Sequence, residues 1–249
     1  GFMKIDPEKQ FLWLDDSLLV LNKPAGLLTL PDGYDPQAPH VRSLLEPLFG
    51  RLWIVHRLDR ETSGVLVLAR SAAAHRHINT QFDQHAVEKR YHALVVGDPD
   101  WEQREIELAL RVNGDRRHRT VVDKQRGKPS LTRVRVLERF GRYTLLEAEL
   151  LTGRTHQVRA HLAALGHPLA ADVLYGASAS LLLSELKPGF RPGVKGECAI
   201  LRRTGLHAGS LALQHPISQE RLVLHAPYPR DFAGALRQLR RYSLTDPNR

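Results

Sequence analysis

An α+β fold, with a mixed and mainly antiparallel central sheet flanked by helices and loops, is what this 249-residue chain predicts. Three observations carry that expectation. Strand-like and helix-like segments are intermixed along the chain. Neighbouring strand candidates are separated by hairpin-length breaks. No strict β–α–β alternation runs through the sequence. A hydrophobic share of 42% with 25% charged residues is ordinary for a globular protein and excludes wholesale disorder. The length suffices for a full core without disulfides or metals.

The elements follow in order. Residues 18–21 read as a short buried strand that Pro24 and Gly26 stop, and 31–39 as a loop rich in Pro, Gly and Asp. Residues 41–49 read as a helix, against the resistance of Pro47. Buried strands at 52–55 and 65–68 flank the segment HRLDRETSG. Ser71 stands where an N-cap belongs, before a helix predicted to reach about Glu88. A strand at 91–96 is closed by Gly97 and Pro99. Residues 131–137 alternate, with Thr132, Val134 and Val136 on one face and Arg133 and Arg135 on the other. The break at Gly141-Arg142 joins them to a strand at 143–150 as a hairpin. Val158, Leu162 and Leu165 give residues 155–165 a helical apolar face, which Gly166 and Pro168 end. Phe232, Leu236 and Leu239 repeat that spacing near the C-terminus. The best linker candidate is 176–204, although an elaborated surface loop explains its glycines and prolines equally well.

Charge narrows the function classes. Thirty-six Lys and Arg against 27 Asp and Glu leave a formal +9, which points to a polyanionic partner, most often nucleic acid. Seven basic residues lie between Arg111 and Lys128 against two acids, a net +5 over 18 residues. Such a segment suits a phosphate backbone, or it is a solvated hairpin. No apolar run approaches the ~18 residues of a membrane helix. The first ten residues lack the apolar region of a signal peptide. The single Cys198 cannot form an internal disulfide, which suits a reducing cytoplasm and excludes cysteine-based zinc sites. The chain contains no GxxxxGK[ST], GxSxG or HExxH motif, and its 13 histidines form no convincing ligand set, so no metal is expected.

Two dense segments remain. The first, His56 to Gly64, presses Arg57, Asp59, Arg60 and Glu61 between two apolar runs. Flanking arginines favour an ionised Asp59, and a positioned carboxylate serves as nucleophile or general base. The same pattern also describes a strand-end ion-pair cluster. The second, Thr152 to His167, sets Arg154 and His156 near a helix N-terminus, where backbone N–H groups favour anions. Arg159 lies one turn further in. It points inward only if a buried carboxylate needs it, with Asp59 the obvious candidate; otherwise it is a snorkelling arginine on an amphipathic helix.

Together these segments resemble the RluA-type pseudouridine synthases, which isomerise specific uridines in ribosomal or transfer RNA. The resemblance rests on HRLDRETSGVLVLAR (56–70), EKRYHALVVG (88–97) and TGRTHQVRAHLAALGHPLAADVLYG (152–176). LLVLNKPAGL (18–27) and LHAGSLALQHP (206–216) support it more weakly, and the order and spacing agree from about residue 11 to 233. The resemblance implies that Asp59 is the essential aspartate, that Tyr91 stacks on the target base, and that Arg159 is the basic residue paired with the aspartate. Arg57 takes the place of the flipped base in the RNA stack. His56, Arg60, Lys89, Arg154 and His156 complete the expected RNA contacts. It further implies the pseudouridine synthase fold, no cofactor or metal, and a monomer. About ten residues precede the first motif, so one catalytic domain over 1–249, without a separate N-terminal RNA-binding domain, is expected. The alternative is a catalytically silent RNA-binding protein on the same scaffold, which would have no use for Asp59, Tyr91 and Arg159 together.

Overall fold

The computed structural model describes residues 3–194 and 196–243. In chain order the elements begin with α1 (Pro7–Gln10), β1 (Phe11–Leu14), β2 (Leu18–Lys23), α2 (Val41–Phe49), β3 (Trp53–Ile54), β4 (Ser63–Ala69) and α3 (Ala72–Asp83). There follow β5 (Glu88–Val96), β6 (Gln103–Glu107), β7 (Leu110–Arg111), β8 (Val121–Val122), β9 (Leu131–Arg139), β10 (Tyr143–Leu150) and α4 (Gln157–Ala164). The last are β11 (Leu181–Leu182), β12 (Ala199–Leu201), β13 (Leu206–Gln214), β14 (Arg221–His225) and α5 (Arg230–Arg241). Two compact units divide the chain. One is the chain up to Arg90 together with His207–Pro227; the other is Tyr91–Leu206 together with the chain from Tyr228 on.

In the first unit β4 is the organising strand, and all seven of its residues are buried. A strand covered on both faces needs a continuous apolar run, which is why VLVLA does not alternate. Along one edge β2 pairs antiparallel with it from Leu18↔Ala69 to Lys23↔Gly64. Its other edge takes β3 at Leu68 and Ala69 and, in parallel, β13 at Ser63 and Gly64. β1 and β14 add antiparallel partners to β2 and β13. The core beneath is Leu18, Val20, Val65, Val67, Ile78, Leu211 and their neighbours. The helix at 41–49 forms as expected, with a capping box between His40 and Ser43; Pro47 falls in its last turn, and Gly50 ends it at φ 76°. Ser71 Oγ accepts the Ala74 N–H, as an N-cap should. That helix stops at Asp83 and does not reach Glu88. His85 takes a left-handed conformation at φ 54°, which turns the chain, and Glu88 already belongs to β5.

In the second unit the strand order is β5-β10-β9-β6. β9 pairs antiparallel with both β10 and β6. The hairpin at Gly141-Arg142 is present: Phe140 N–H donates to Tyr143 O at 2.9 Å, and Gly141 has φ 89°. Thr132 and Val134 are buried while Arg133 and Arg135 are exposed. The two arginines pair with Glu105 and Glu147. One apolar cluster gathers Ala93, Val95, Val134 and Leu146 with Val158 and Leu162 of α4; a second gathers Leu94, Phe140, Tyr143 and Leu145 with Phe232, Leu236 and Leu239 of α5. Residues 176–204 are not a linker but an elaborated surface loop: their described residues lie inside this unit, where β11 pairs with β12 and Leu181, Leu186 and Leu201 are buried against α5. Its leucines anchor it, however loop-like its glycines look. Antiparallel pairing dominates, and the fold is α+β with few helices, as the sequence predicts.

Candidate active site

The first unit carries the HRLDR segment. Asp59 is half-buried, while Arg57 and Arg60 are exposed. The loop's backbone is pinned at several points. Lys23 is fully buried, and its ammonium donates to the carbonyls of Pro24 (2.9 Å), Leu27 (2.8 Å) and Arg60 (3.0 Å). Gly26 N–H donates to Arg60 O at 2.7 Å, and Arg60 Nε returns a bond to Gly26 O at 3.1 Å. Thr29 Oγ1 donates to Leu58 O at 3.0 Å. Thr62 N–H closes a turn on Asp59 O at 3.0 Å. Both neighbours of Asp59 are therefore fixed through their main chain.

Immediately after the loop, Gly64 has φ 121°, and a Cβ there would stand 2.1 Å from Ala208 O, so only glycine permits the β4–β13 pairing. Ser63 Oγ lies 2.8 Å from His207 Nδ1, and His207 Nε2 lies 2.9 Å from Ala226 O. A carbonyl only accepts, so Nε2 carries the proton and Ser63 donates to Nδ1.

Two expected RNA contacts in this unit make contacts inside it. His56 Nε2 accepts the Val67 N–H at 2.9 Å, on a stretch of β4 between its pairings with β3 and β13. The ring stacks on Phe82 at 5.1 Å. Burial, with a smaller contribution from the Lys89 charge, pushes the His56 pKa down to about 3, so the imidazole is the neutral acceptor this geometry requires. The Lys89 ammonium lies 5.9 Å from the Phe82 ring centroid, and burial lowers its pKa.

The second unit carries the GRTHQ segment, which is organised by a residue the sequence reading did not single out. Gln157, 2% exposed, uses its whole amide. Its Oε1 accepts from Thr152 Oγ1 (2.8 Å) and Arg154 N (3.1 Å), and its Nε2 donates to Leu131 O (3.0 Å) and Thr132 Oγ1 (2.9 Å). Thr132 Oγ1 lies 2.8 Å from His161 Nδ1, and His161 Nε2 lies 2.8 Å from Leu108 O. This buried chain is saturated, which fixes the loop that presents Arg154 and His156. His156 caps α4 with φ 57°, and its Nδ1 lies 2.9 Å from the Tyr175 hydroxyl. Arg154 reaches Pro129 O at 2.8 Å. Tyr91 is partly buried against the core that includes Ala93 and Val158.

Arg159 is turned inward, with its side chain 12% exposed. Asp172, which the sequence reading also missed, grips it through Nε–Oδ2 at 2.8 Å and Nη2–Oδ1 at 2.9 Å. The Tyr175 ring lies 5.0 Å from the guanidinium carbon. Both residues fall in the ADVLYG end of the matching motif, which was the available signal. The basic segment is also anchored here. Arg111 pairs with Asp123 and Arg119 with Asp115, while Arg116, Arg117, Lys124, Arg126 and Lys128 are exposed. Thr120 ties the segment down: its N–H donates to the Tyr175 hydroxyl at 3.0 Å and its Oγ1 to Thr155 O at 2.8 Å.

Comparisons with known proteins show the family. Residues 17–164 match the family described as RNA pseudouridylate synthase. The chain is 36% identical over 243 residues to ribosomal large subunit pseudouridine synthase C of Vibrio cholerae, across 94% of this chain and 70% of that protein. It is 35% identical over 223 residues to the dual-specificity RNA pseudouridine synthase RluA of Pasteurella multocida, across 89% of this chain and 94% of that one. Among solved structures, human RNA pseudouridylate synthase domain containing 4 superposes with a TM-score of 0.69 at 25% identity, covering 94% of each chain. Human RNA pseudouridylate synthase domain containing 1 gives 0.67 at 28%, covering 91% of this chain and 87% of that one. The sequence matches and the fold are thus those of one family, and the chain belongs to the RNA pseudouridylate synthases, isomerases that convert uridine in RNA to pseudouridine.

Proposed function

We propose that this protein isomerises specific uridines of ribosomal or transfer RNA, as a cytoplasmic monomer with one catalytic domain. The relatives named as ribosomal large subunit synthases favour ribosomal RNA as the first substrate to test. No helix among the described residues is long and apolar enough to cross a membrane.

In this reading the target base leaves its stack, at a cost of about a few kcal/mol, and Arg57 fills the space. Tyr91 supplies a flat face for the extruded uracil. Asp59 attacks the sugar or takes a sugar proton, and by either route the bond from C1′ to N1 breaks. The uracil rotates and C5 bonds to C1′; in the first route this displaces the Asp59 carboxylate from C1′, and in the second Asp59 returns the sugar proton. The C5 hydrogen then leaves as a proton, and N1 gains one. Arg159 is the cation assigned to Asp59 by family resemblance. By the same resemblance Arg60, Arg154, His156, His56 and Lys89 are the remaining RNA contacts.

One observation carries the reading: Asp59 sits, within the matched residues, on a loop whose backbone is fixed by hydrogen bonds on both sides. A binder of RNA has no need for a carboxylate on so firmly held a loop. The test is tritium release from ribosomal and transfer RNA pools labelled at uracil C5. Release from the ribosomal pool, without free uracil, is expected. Free uracil would indicate a glycosylase, and RNA binding without release would indicate a silent binder.

A further inference from the structure

We propose that Asp172 and Tyr175 are positioning residues for Arg159 in the isomerisation, holding its guanidinium in one orientation while Tyr175 also fastens the basic 111–128 segment to the same point. The inference rests on the reading above, in which Arg159 acts in the reaction.

The geometry restrains the guanidinium in two directions. The Asp172 carboxylate takes it in its own plane through two bonds, at 2.8 and 2.9 Å. The Tyr175 ring bears on it, 5.0 Å from its central carbon. Asp172 is itself held. Its side chain is 1% exposed, its N–H donates to Leu169 O, and its carbonyl accepts from the N–H groups of Tyr175 and Ala177. Ala171, just before it, is kept in the left-handed region at φ 60°, a strained conformation for alanine.

A buried ion pair adds little net stability, because desolvation offsets most of the attraction. What this pair does achieve is a fixed direction for the cation. Tyr175 has a second role. Its hydroxyl meets Thr120 N at 3.0 Å and His156 Nδ1 at 2.9 Å, so the basic segment and the start of α4 share one ring with Arg159. An RNA strand that engages the exposed arginines and lysines of that segment therefore bears on the support of Arg159.

The test is a cycle of Asp172→Asn and Tyr175→Leu, each made in the wild-type and the Arg159→Lys backgrounds, with kcat and KM read from tritium release and folding read from thermal unfolding. The amide introduced by Asp172→Asn would turn a donor toward the guanidinium, and a lysine at 159 cannot take the bidentate grip. In the wild-type background kcat is expected to fall roughly ten- to a hundredfold for Asp172→Asn, with KM within about twofold. In the Arg159→Lys background the same change costs at most about threefold, because the group it acts through is already altered. Tyr175→Leu is expected to lower kcat and raise KM together, since it also loosens the basic segment. Equal losses in both backgrounds, or an unchanged kcat, overturn the proposal. Should Asp172→Asn not fold, the Tyr175→Leu cycle decides by the same criterion. Wild-type release with full activity in Arg159→Lys removes only the role of Arg159 and, with it, this inference. No release by the wild-type protein removes the functional reading beneath it, and the inference falls too.

Discussion

The buried ammonium of Lys23 lies 3.0 Å from the main-chain carbonyl of Arg60, the residue after Asp59. Through that contact, and through its bonds to Pro24 and Leu27, a lysine at the end of β2 fixes the loop that carries the proposed catalytic carboxylate. Lys23→Met would remove the ammonium donor from the carbonyls of Pro24 and Leu27 and leave Arg60 O with the Gly26 N–H alone. A loss of about 3 kcal/mol in urea unfolding is expected. Activity should fall at temperatures where the variant is still folded, because Asp59 loses its rigid mount. Full activity in the folded variant would show that the loop is fixed by other means.

His56 makes a prediction about pH. Its folded pKa, about 3, lies below the ordinary histidine value of 6.5, so the unfolded chain binds the proton more readily. The stability it contributes is fully present above pH 6.5 and is lost as pH falls toward 3. Removing the titrating ring with His56→Gln should flatten the fall in unfolding free energy between about pH 6.5 and 4 by up to about one proton. Parallel slopes in the two proteins would mean that His56 is not buried neutral.

The basic segment should act on RNA affinity and its salt dependence. Converting the exposed Arg116, Arg117, Lys124 and Arg126 to glutamate is expected to weaken RNA binding. The plot of log affinity against log salt should also flatten, by roughly 0.7 for each phosphate that the segment no longer neutralises. Saturating RNA should restore most of kcat. An unchanged slope would make the segment a solvated hairpin.

Much of this was legible in the sequence, for identifiable reasons. The apolar run of β4, the alternation of β9 and the spacing of Val158 and Leu162 each report burial directly, and the structure places them accordingly. Asp59 and Arg159 stood out because charge was wedged into apolar surroundings. What escaped notice was charge or polarity whose burial depends on distant partners. Lys23 lies just past the strand read at 18–21, with no pattern marking it as buried, yet it is capped by carbonyls from its own turn and from Arg60. Asp172 lies 13 residues past Arg159 in irregular chain, where no periodicity links the two. Gln157 was visible within GRTHQ, but only its four hydrogen bonds show that it ties the loop together. The early end of α3 turns on the backbone of His85, a choice that composition does not announce.

The measurement that bears most directly on the central claim is isomerisation by Asp59→Asn beside the wild type, with RNA binding and thermal unfolding measured on the same preparations. Turnover is expected to drop by roughly a thousandfold or more, while the RNA dissociation constant and the unfolding temperature stay close to wild type. Turnover at the wild-type rate would contradict that claim and remove Asp59 from the chemistry.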